Sequence, residues 1–457
     1  MNCDLVIAEI GSTTTVVSGL NLDGKAATLL GQGVATTTAR AGDVTVGLGR
    51  ALDDLAARLG AERLTWGELR AASSAAGGLR MSVHGLVYDM TVKAAREAAL
   101  GAGAVLVHVT AGDLGEADVA EVARLNPRVI LLAGGVDYGE QATVIANAHR
   151  LANLPGKPPV VYAGNVAALP AVRAAFTAAG CEVHPAENVY PRLDELNIEP
   201  TRKAIQQVFE IHIVQAPGME RLRELVTGRI LPVPGAVMEA AKLLYGDIGD
   251  LVVFDVGGAT TDVHSITEGD EELTRLLVSP EPLAKRTVEG DLGVYLNAPN
   301  LEQSLGPQRL AAALGVEPDE LPELRAPIPT GPYQVAYAAA LTKEAVRVSL
   351  SRHAGRLKHL VGPTGRATIA EGKDLSLVKH VIGTGGALTR LPGGADILAG
   401  ACGGARGREL FPPAGACVHL DGDYIMACAG MLAGDLPEAA LSLLKTSLRL
   451  QTGGEPR

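Results

Sequence analysis

Residues 251–265, LVVFDVGGATTDVHS, narrow the choice of fold more than any other stretch of the chain. The apolar run LVVF reads as a buried strand, Gly257-Gly258 breaks it, and TTDVHS continues as an antiparallel partner. The hairpin tip therefore holds only glycine, alanine and threonine, with Asp255 on the way in and Asp262 on the way out. The N-terminus repeats the unit. DLVIAEI (4–10) is a strand, Gly11-Ser12-Thr13-Thr14 is its turn, and residues 15–20 return before a second turn at Leu22-Asp23-Gly24-Lys25. Two copies this far apart predict a duplicated fold.

At 457 residues the chain exceeds one ordinary core. Its hydrophobic share of 47% includes only 3% aromatic residues, so the core must be Ala, Leu and Val, with helices packed tightly on sheets. The net charge of −11, with no Lys/Arg cluster to offset it, argues against nucleic acid as a partner. Cys3, Cys181, Cys402, Cys417 and Cys428 form an odd set without Cys-x-x-Cys spacing, and buried thiols are expected rather than disulfides or a zinc ribbon. No stretch approaches the roughly 18 apolar residues of a membrane span. MNCDLVIAEIGS has no basic residues ahead of its short apolar run, so the expectation is no membrane and a cytoplasmic location.

The segment 42–60 places Val46, Leu48, Leu52, Leu55 and Leu59 at near-helical spacing, a helix covering the first sheet. From about 70 to 195 the pattern changes. GAVLVHVTAGD (103–113), PRVILLAGG (127–135) and PPVVYAGN (158–165) are apolar strands, each followed by a helical segment, and CEVHPA closes the series. That alternation predicts an inserted parallel, doubly wound βα subdomain. Beyond it, 216–245 reads as mostly helical, 280–332 as a smaller irregular or helical lobe, and 333–361 as one long helix. LVKHVIGTGGAL contains a strand, CVHLDGDYIMACAGMLAG a last strand and helix, and the tail from Gln451 should fray.

Tips built from glycine and small hydroxyl residues let backbone N–H groups converge on phosphate oxygens. Glu9, Asp255 and Asp262 at the strand ends supply oxygen ligands of the kind Mg²⁺ takes, partly through water. Two facing tips would clamp a nucleoside triphosphate, with one carboxylate orienting the attacking water.

IGSTTT, FDVGGATTDV and IGTGGALT (382–389) resemble, in chain order, the first phosphate, second phosphate and adenosine motifs of the actin, Hsp70 and sugar-kinase ATPase superfamily. PGAVMEAAKLLYG and DYIMACAGMLAG stand where that superfamily places its two connecting helices. Within it, RTVEGDLGV (286–294) and GDLGEADVAEVARLNPRVILLAGGVDYGE (112–140) resemble the MutL or GlmL family, accessory proteins of adenosylcobalamin-dependent glutamate mutase, over essentially the whole chain.

The resemblance implies a two-lobed actin-like α/β fold, with duplicated ribonuclease H-like lobes and the Rossmann-like subdomain inserted. Its expected divisions are 1–70, the insertion at 71–198, 199–245, and 246–457 with the smaller subdomain at about 280–332. It implies ATP and Mg²⁺ as cofactors. Gly11, Ser12, Thr13 and Thr14 match the first phosphate loop; Gly257, Gly258, Thr260 and Thr261 match the second; Gly383, Gly385 and Gly386 match the adenosine loop. Asp255, Asp262 and Glu9 take the catalytic positions, and Glu9 and Asp255 those of the metal. Glu9 stands where the superfamily usually has Asp, and the Asn-Glu-Pro of Hsp70 is missing.

The implied role is a weak, chaperone-like ATPase that reactivates a cobalamin-dependent mutase by binding its subunits. A homo-oligomer is allowed. The insertion is expected to carry partner specificity through turns at Asp113 and Asp137, and Glu289 and Asp291 to contact nucleotide or partner. Asp262-Val263-His264 begins like the cobalamin motif DxHxxG but has Thr267 in sixth place, so His264 is expected to be a strand-partner residue. Two alternatives use the same cleft: a small-molecule kinase with Asp262 as acceptor base, though Trp66 is the sole tryptophan, and a nucleotide-dependent scaffold that does not hydrolyse ATP.

Overall fold

The structure, a computed structural model, describes residues 1–75, 79–212, 218–362, 365–403 and 408–450; the tail from Gln451 lies outside them. The chain divides into two compact bodies. One comprises Met1–Thr38, Thr45–Ala72 and Ala236–Arg457, the other Ala39–Val44 and Ser73–Gly235.

The first body opens with β1 (Asn2–Ile10), β2 (Thr14–Asp23), β3 (Ala26–Thr36) and β4 (Thr65–Ser73), in the order β4-β1-β2-β3. The helix Val44–Arg58, where spacing predicts one, buries Leu48, Ala51 and Leu55 completely. It lies close on β3 because Gly33 has no side chain: a Cβ there would fall 2.0 Å from the Ala51 carbonyl oxygen.

The second body is the parallel subdomain. β5 (Leu79–Gly85), β6 (Ala104–Ala111), β7 (Val129–Leu132), β8 (Val160–Tyr162) and β9 (Val183–Pro185) pair in the order β6-β5-β7-β8-β9, all parallel. Its core joins Ile130, Leu132, Val160 and Tyr162 to Val144, Val172 and Phe176 from the intervening helices. The sequence reading lacks β5, the strand at which the order reverses. Its inward positions include fully buried Ser82 and His84, bonded to each other at 3.0 Å and through His84 to Thr110 at 2.8 Å, so no apolar run marks it. The short β10 (Ile230–Pro232) precedes the helix Val233–Ile248.

Returning to the first body, β11 (Leu251–Val256), β12 (Thr261–Ile266), β13 (Ala284–Glu289), β16 (His380–Thr384) and β17 (Cys417–Leu420) form the sheet β13-β12-β11-β16-β17, while β14 (Arg356–Gly362) and β15 (Gly365–Glu371) make a separate hairpin. The order 3-2-1-4 recurs in both sheets, and β16 and β17 run parallel to β11 as a ribonuclease H-like lobe requires. Val252, Phe254 and Val256 pack on Leu341, Val346 and Leu350 of the helix Pro332–His353.

Three expectations change here. Residues 284–289 are the strand β13, not irregular chain; its inward Arg286, only 1% exposed, hides it from a hydrophobic-pattern reading. The long helix stops at His353, because Gly355 must pass close to β15: a Cβ would sit 2.7 Å from the Glu371 carbonyl oxygen. All five cysteines are free, but Cys417 is exposed and Cys402 partly so.

The two segments matched to connecting helices are the helices Val233–Ile248 and Met426–Leu432. They touch so closely that a Cβ on Gly430 would lie 1.8 Å from the Ala236 carbonyl oxygen. Among the described residues no helix is long and apolar enough to cross a membrane.

Candidate functional site

The two hairpin tips of the first body have the same geometry. In the first, Gly11 N–H donates to the Thr14 carbonyl at 2.9 Å, Ile10 faces Thr15 and Glu9 faces Val16. In the second, Gly257 N–H donates to the Thr260 carbonyl at 2.9 Å, Val256 faces Thr261 and Asp255 faces Asp262. Glu9 and Asp255 are thus equivalent positions of a duplicated turn. The tips approach each other: a Cβ on Gly258 would lie 3.2 Å from both the methyl and the hydroxyl of Thr13.

The adenosine-type loop joins them from β16, where Thr384 pairs with Asp255. Gly385 has φ +83°, and a Cβ there would come within 2.4 Å of the Val256 carbonyl oxygen and 2.7 Å of an Asp255 carboxylate oxygen. Glycine is the residue that fits such a backbone approach at positive φ. Gly386, by contrast, faces open space, whereas Gly383 makes room for Leu398 and Leu420 in the core.

The carboxylates crowd one another. Burial raises the Glu9 carboxyl to about 7, with Asp421 adding to the effect and a 2.8 Å bond donated by the Tyr424 hydroxyl opposing it. Asp255 is pushed well above the usual carboxylate range, by burial first, then by the charges of Asp262 and Glu9; Arg286 pulls the other way. Such a set carries more negative charge than Arg286 offsets, and its hard oxygen donors fit a divalent cation of the Mg²⁺ kind.

Not every residue singled out from sequence is available to a ligand. Asp262 is buried in an ion pair with Arg286, Oδ1 accepting from Nη2 at 2.6 Å and Nε at 3.1 Å. Thr261 is fully buried, and its hydroxyl donates to the Leu292 carbonyl at 2.7 Å. Both therefore brace the second tip. The end of the RTVEGDLGV segment and the residues after it clasp the same tip: Val294 N–H donates to the Gly257 carbonyl at 3.2 Å, Tyr295 and Leu296 N–H to the Gly258 carbonyl at 3.0 and 2.7 Å, and Asn297 to the Ala259 carbonyl at 2.7 Å. Glu289 and Asp291 are held internally by Arg352, at 2.6 and 2.8 Å. His264 is buried on β12 opposite Arg286 of β13.

Sequence reasoning missed Tyr424, Gln32 and Arg390. Gln32 donates to the Ser18 hydroxyl at 3.0 Å and the Tyr424 carbonyl at 3.2 Å; Arg390 donates to Gln32 at 3.2 Å and lies 5.9 Å from the centre of the Tyr424 ring. Asp421 sets Tyr424 in place by accepting from the Ile425 and Met426 amides and from Thr384. The DGDY sequence is the one local hint of this arrangement.

A repeated strand–turn–strand unit in two sheets of the same order is the actin-like ATPase class of α/β fold. The family model described as MutL protein matches residues 5–448, and Protein MutL of Clostridium tetanomorphum is 36% identical over 459 residues, covering 97% of this chain and 98% of that protein. The chain belongs to the MutL family. Solved structures similar to it include nucleotide-free acetone carboxylase (12% identical, TM-score 0.40, 95% of this chain and 70% of that chain). Component A of (R)-2-hydroxyglutaryl-CoA dehydratase from Acidaminococcus fermentans (9%, 0.32, 97% and 98%) and glycerol dehydratase reactivase (11%, 0.30, 93% and 99%) are others.

Proposed function

We propose that the chain is an ATP-dependent accessory protein that reactivates an adenosylcobalamin-dependent mutase such as glutamate mutase. The observation that carries the reading is the meeting of two register-matched Gly/Thr tips with a pair of buried carboxyls, Glu9 and Asp255, both raised above their ordinary range. Gly11 and Gly257 close the turns with their own amides, the backbone amides of Ser12–Thr14 and Gly258–Thr260 would hold phosphate oxygens, and Gly385 and Gly386 would border the adenosine. Mg²⁺ would offset the carboxylates and the phosphates together. Asp255 would orient water through its remaining lone pairs, while Tyr424 fixes Glu9.

Asp262 is the base a small-molecule kinase would need, and its commitment to Arg286 favours the accessory reading over that alternative. Partner contact falls to the inserted subdomain. Loops at the carboxyl ends of its strands expose Tyr88, Tyr138 and Val166, at 54%, 82% and 46%, in the region where an open parallel sheet offers its binding edge. Asp113 there pairs with Arg150 on the surface, whereas Asp137 accepts from the Val166 amide and Asn188 at 2.9 Å and so shapes its own turn.

The deciding experiment gives the chain, Mg-ATP and fresh adenosylcobalamin to inactivated mutase and follows the return of turnover. Recovery that needs ATP, and falls with Tyr138→Asp while ATP hydrolysis persists, supports the reading. Absence of ATP and ADP binding up to millimolar concentration by calorimetry would remove its basis.

A further inference from the structure

Away from the tips, the second body brings together three side chains that neither the sequence reading nor the proposed function uses. Glu182 precedes β9, His184 lies on it, and His212 ends the helix Ile198–His212. His184 Nε2 is 3.0 Å from Glu182 Oε1, and His212 Nε2 is 3.4 Å from Glu182 Oε2. Donor atoms from all three lie within 4.8 Å of one another. Despite these distances, both Nε2 atoms are buried without a hydrogen-bond partner among the described residues. Polar atoms left this way are costly and ask for a ligand.

We infer that Glu182, His184 and His212 form a site for a borderline divalent transition metal, Zn²⁺ above all. The separations suit it. With metal–ligand bonds of about 2.0–2.1 Å, the edge of a tetrahedron is about 3.3–3.4 Å; one donor atom from each residue lies within 4.8 Å of the others, and His184 and His212 stand 3.0 and 3.4 Å from Glu182 Oε1 and Oε2 respectively. Two imidazoles select such a metal over Mg²⁺ or Ca²⁺, which prefer all-oxygen shells. Glu182 is 53% exposed on its side chain, so the metal can enter and a fourth position stays open to water or another ligand. The bound ion ties β9 to the end of a helix contributed by a distant part of the chain.

The test titrates the full-length protein with Co²⁺ and then Zn²⁺ in a Cys417→Ser background, so that the exposed thiol contributes nothing. One Co²⁺ per chain with a visible ligand-field band, displaced by one Zn²⁺, is expected, together with a rise in unfolding temperature. His184→Gln/His212→Gln should weaken Zn²⁺ binding at least about 100-fold, more than loss of an outer-shell partner costs. Glu182→Gln, an exposed and conservative change, should weaken it without altering the fold. Zn²⁺ binding that survives loss of both imidazoles, or absence of one-to-one binding at micromolar metal by the parent, would overturn the assignment.

Discussion

Replacing Glu9 with Gln in metal-free protein should stabilise the first body, and increasingly so as pH rises. The folded carboxyl titrates at about 7 against an ordinary 4.5. A carboxyl raised in the folded state contributes stability that is fully present below the unfolded pKa, near 4.5, and is lost as pH climbs through about 7. Taking about 1.4 kcal/mol per tenfold change in the proton equilibrium, the loss has an upper bound of about 3.5 kcal/mol. Residual solvent contact at Glu9 trims it to about 2 kcal/mol.

Gln keeps an oxygen to accept from Tyr424 and carries no charge to desolvate, so the variant escapes this loss. Trp66, the sole tryptophan, lies on β4 in the same sheet and reports unfolding of this body. Urea titrations in chelator should superimpose below about pH 4.5 and separate by about 2 kcal/mol at pH 8. Mg-ATP should then close the gap by stabilising the parent more than the variant. If Glu9→Gln is equal to or less stable than the parent from pH 6 to 8, Glu9 is not the crowded carboxyl described.

Asp255→Ala should lose ATP hydrolysis by more than tenfold while nucleotide affinity changes less, as steady-state kinetics and calorimetry together would show. Arg286→Met leaves Asp262 buried without its counter-charge and should cost about 3–5 kcal/mol; Arg286→Met with Asp262→Leu should recover much of this in the same denaturation assay. Gly430→Ala drives a methyl into the Ala236 carbonyl and should cost about 3 kcal/mol or more, seen as a lowered unfolding midpoint.

Local pattern made the two hairpins and the parallel series legible, because their strands are apolar runs stopped by glycine. It failed where a core-facing position is polar. Ser82 and His84 conceal β5, and Arg286 conceals β13: Ser82 bonds His84, and His84 and Arg286 find partners on other strands, Thr110 and Asp262. The same reason separates the visible part of the site from the invisible part. Glu9 could be named from its strand end, but Tyr424, which fixes it, lies 415 residues away. The end of the long helix was equally nonlocal, set by the passage of Gly355 against β15.

The duplication also shows where the two tips have diverged. Thr15 and Thr261 occupy the same register and do the same kind of job: one hydroxyl meets that of Thr37 at 2.9 Å, the other donates to the Leu292 carbonyl. One step on, Val16 answers Asp262, so only the second tip carries the buried pair with Arg286. Arg286 therefore lowers the electrostatic cost of charge at Asp255 but contributes no bond to Glu9, which depends on the neutral hydroxyl of Tyr424. Each tip is thus left with a buried carboxyl raised above its ordinary range, Glu9 in the first steadied by Tyr424 and Asp255 in the second eased by Arg286. A cation arriving between them would act on both, but below about pH 7 it must displace a proton from Glu9. Calorimetry of Mg-ATP binding at pH 6 in buffers of different ionisation enthalpy should show proton release that falls in Glu9→Gln; identical release from both proteins would place the proton on another group.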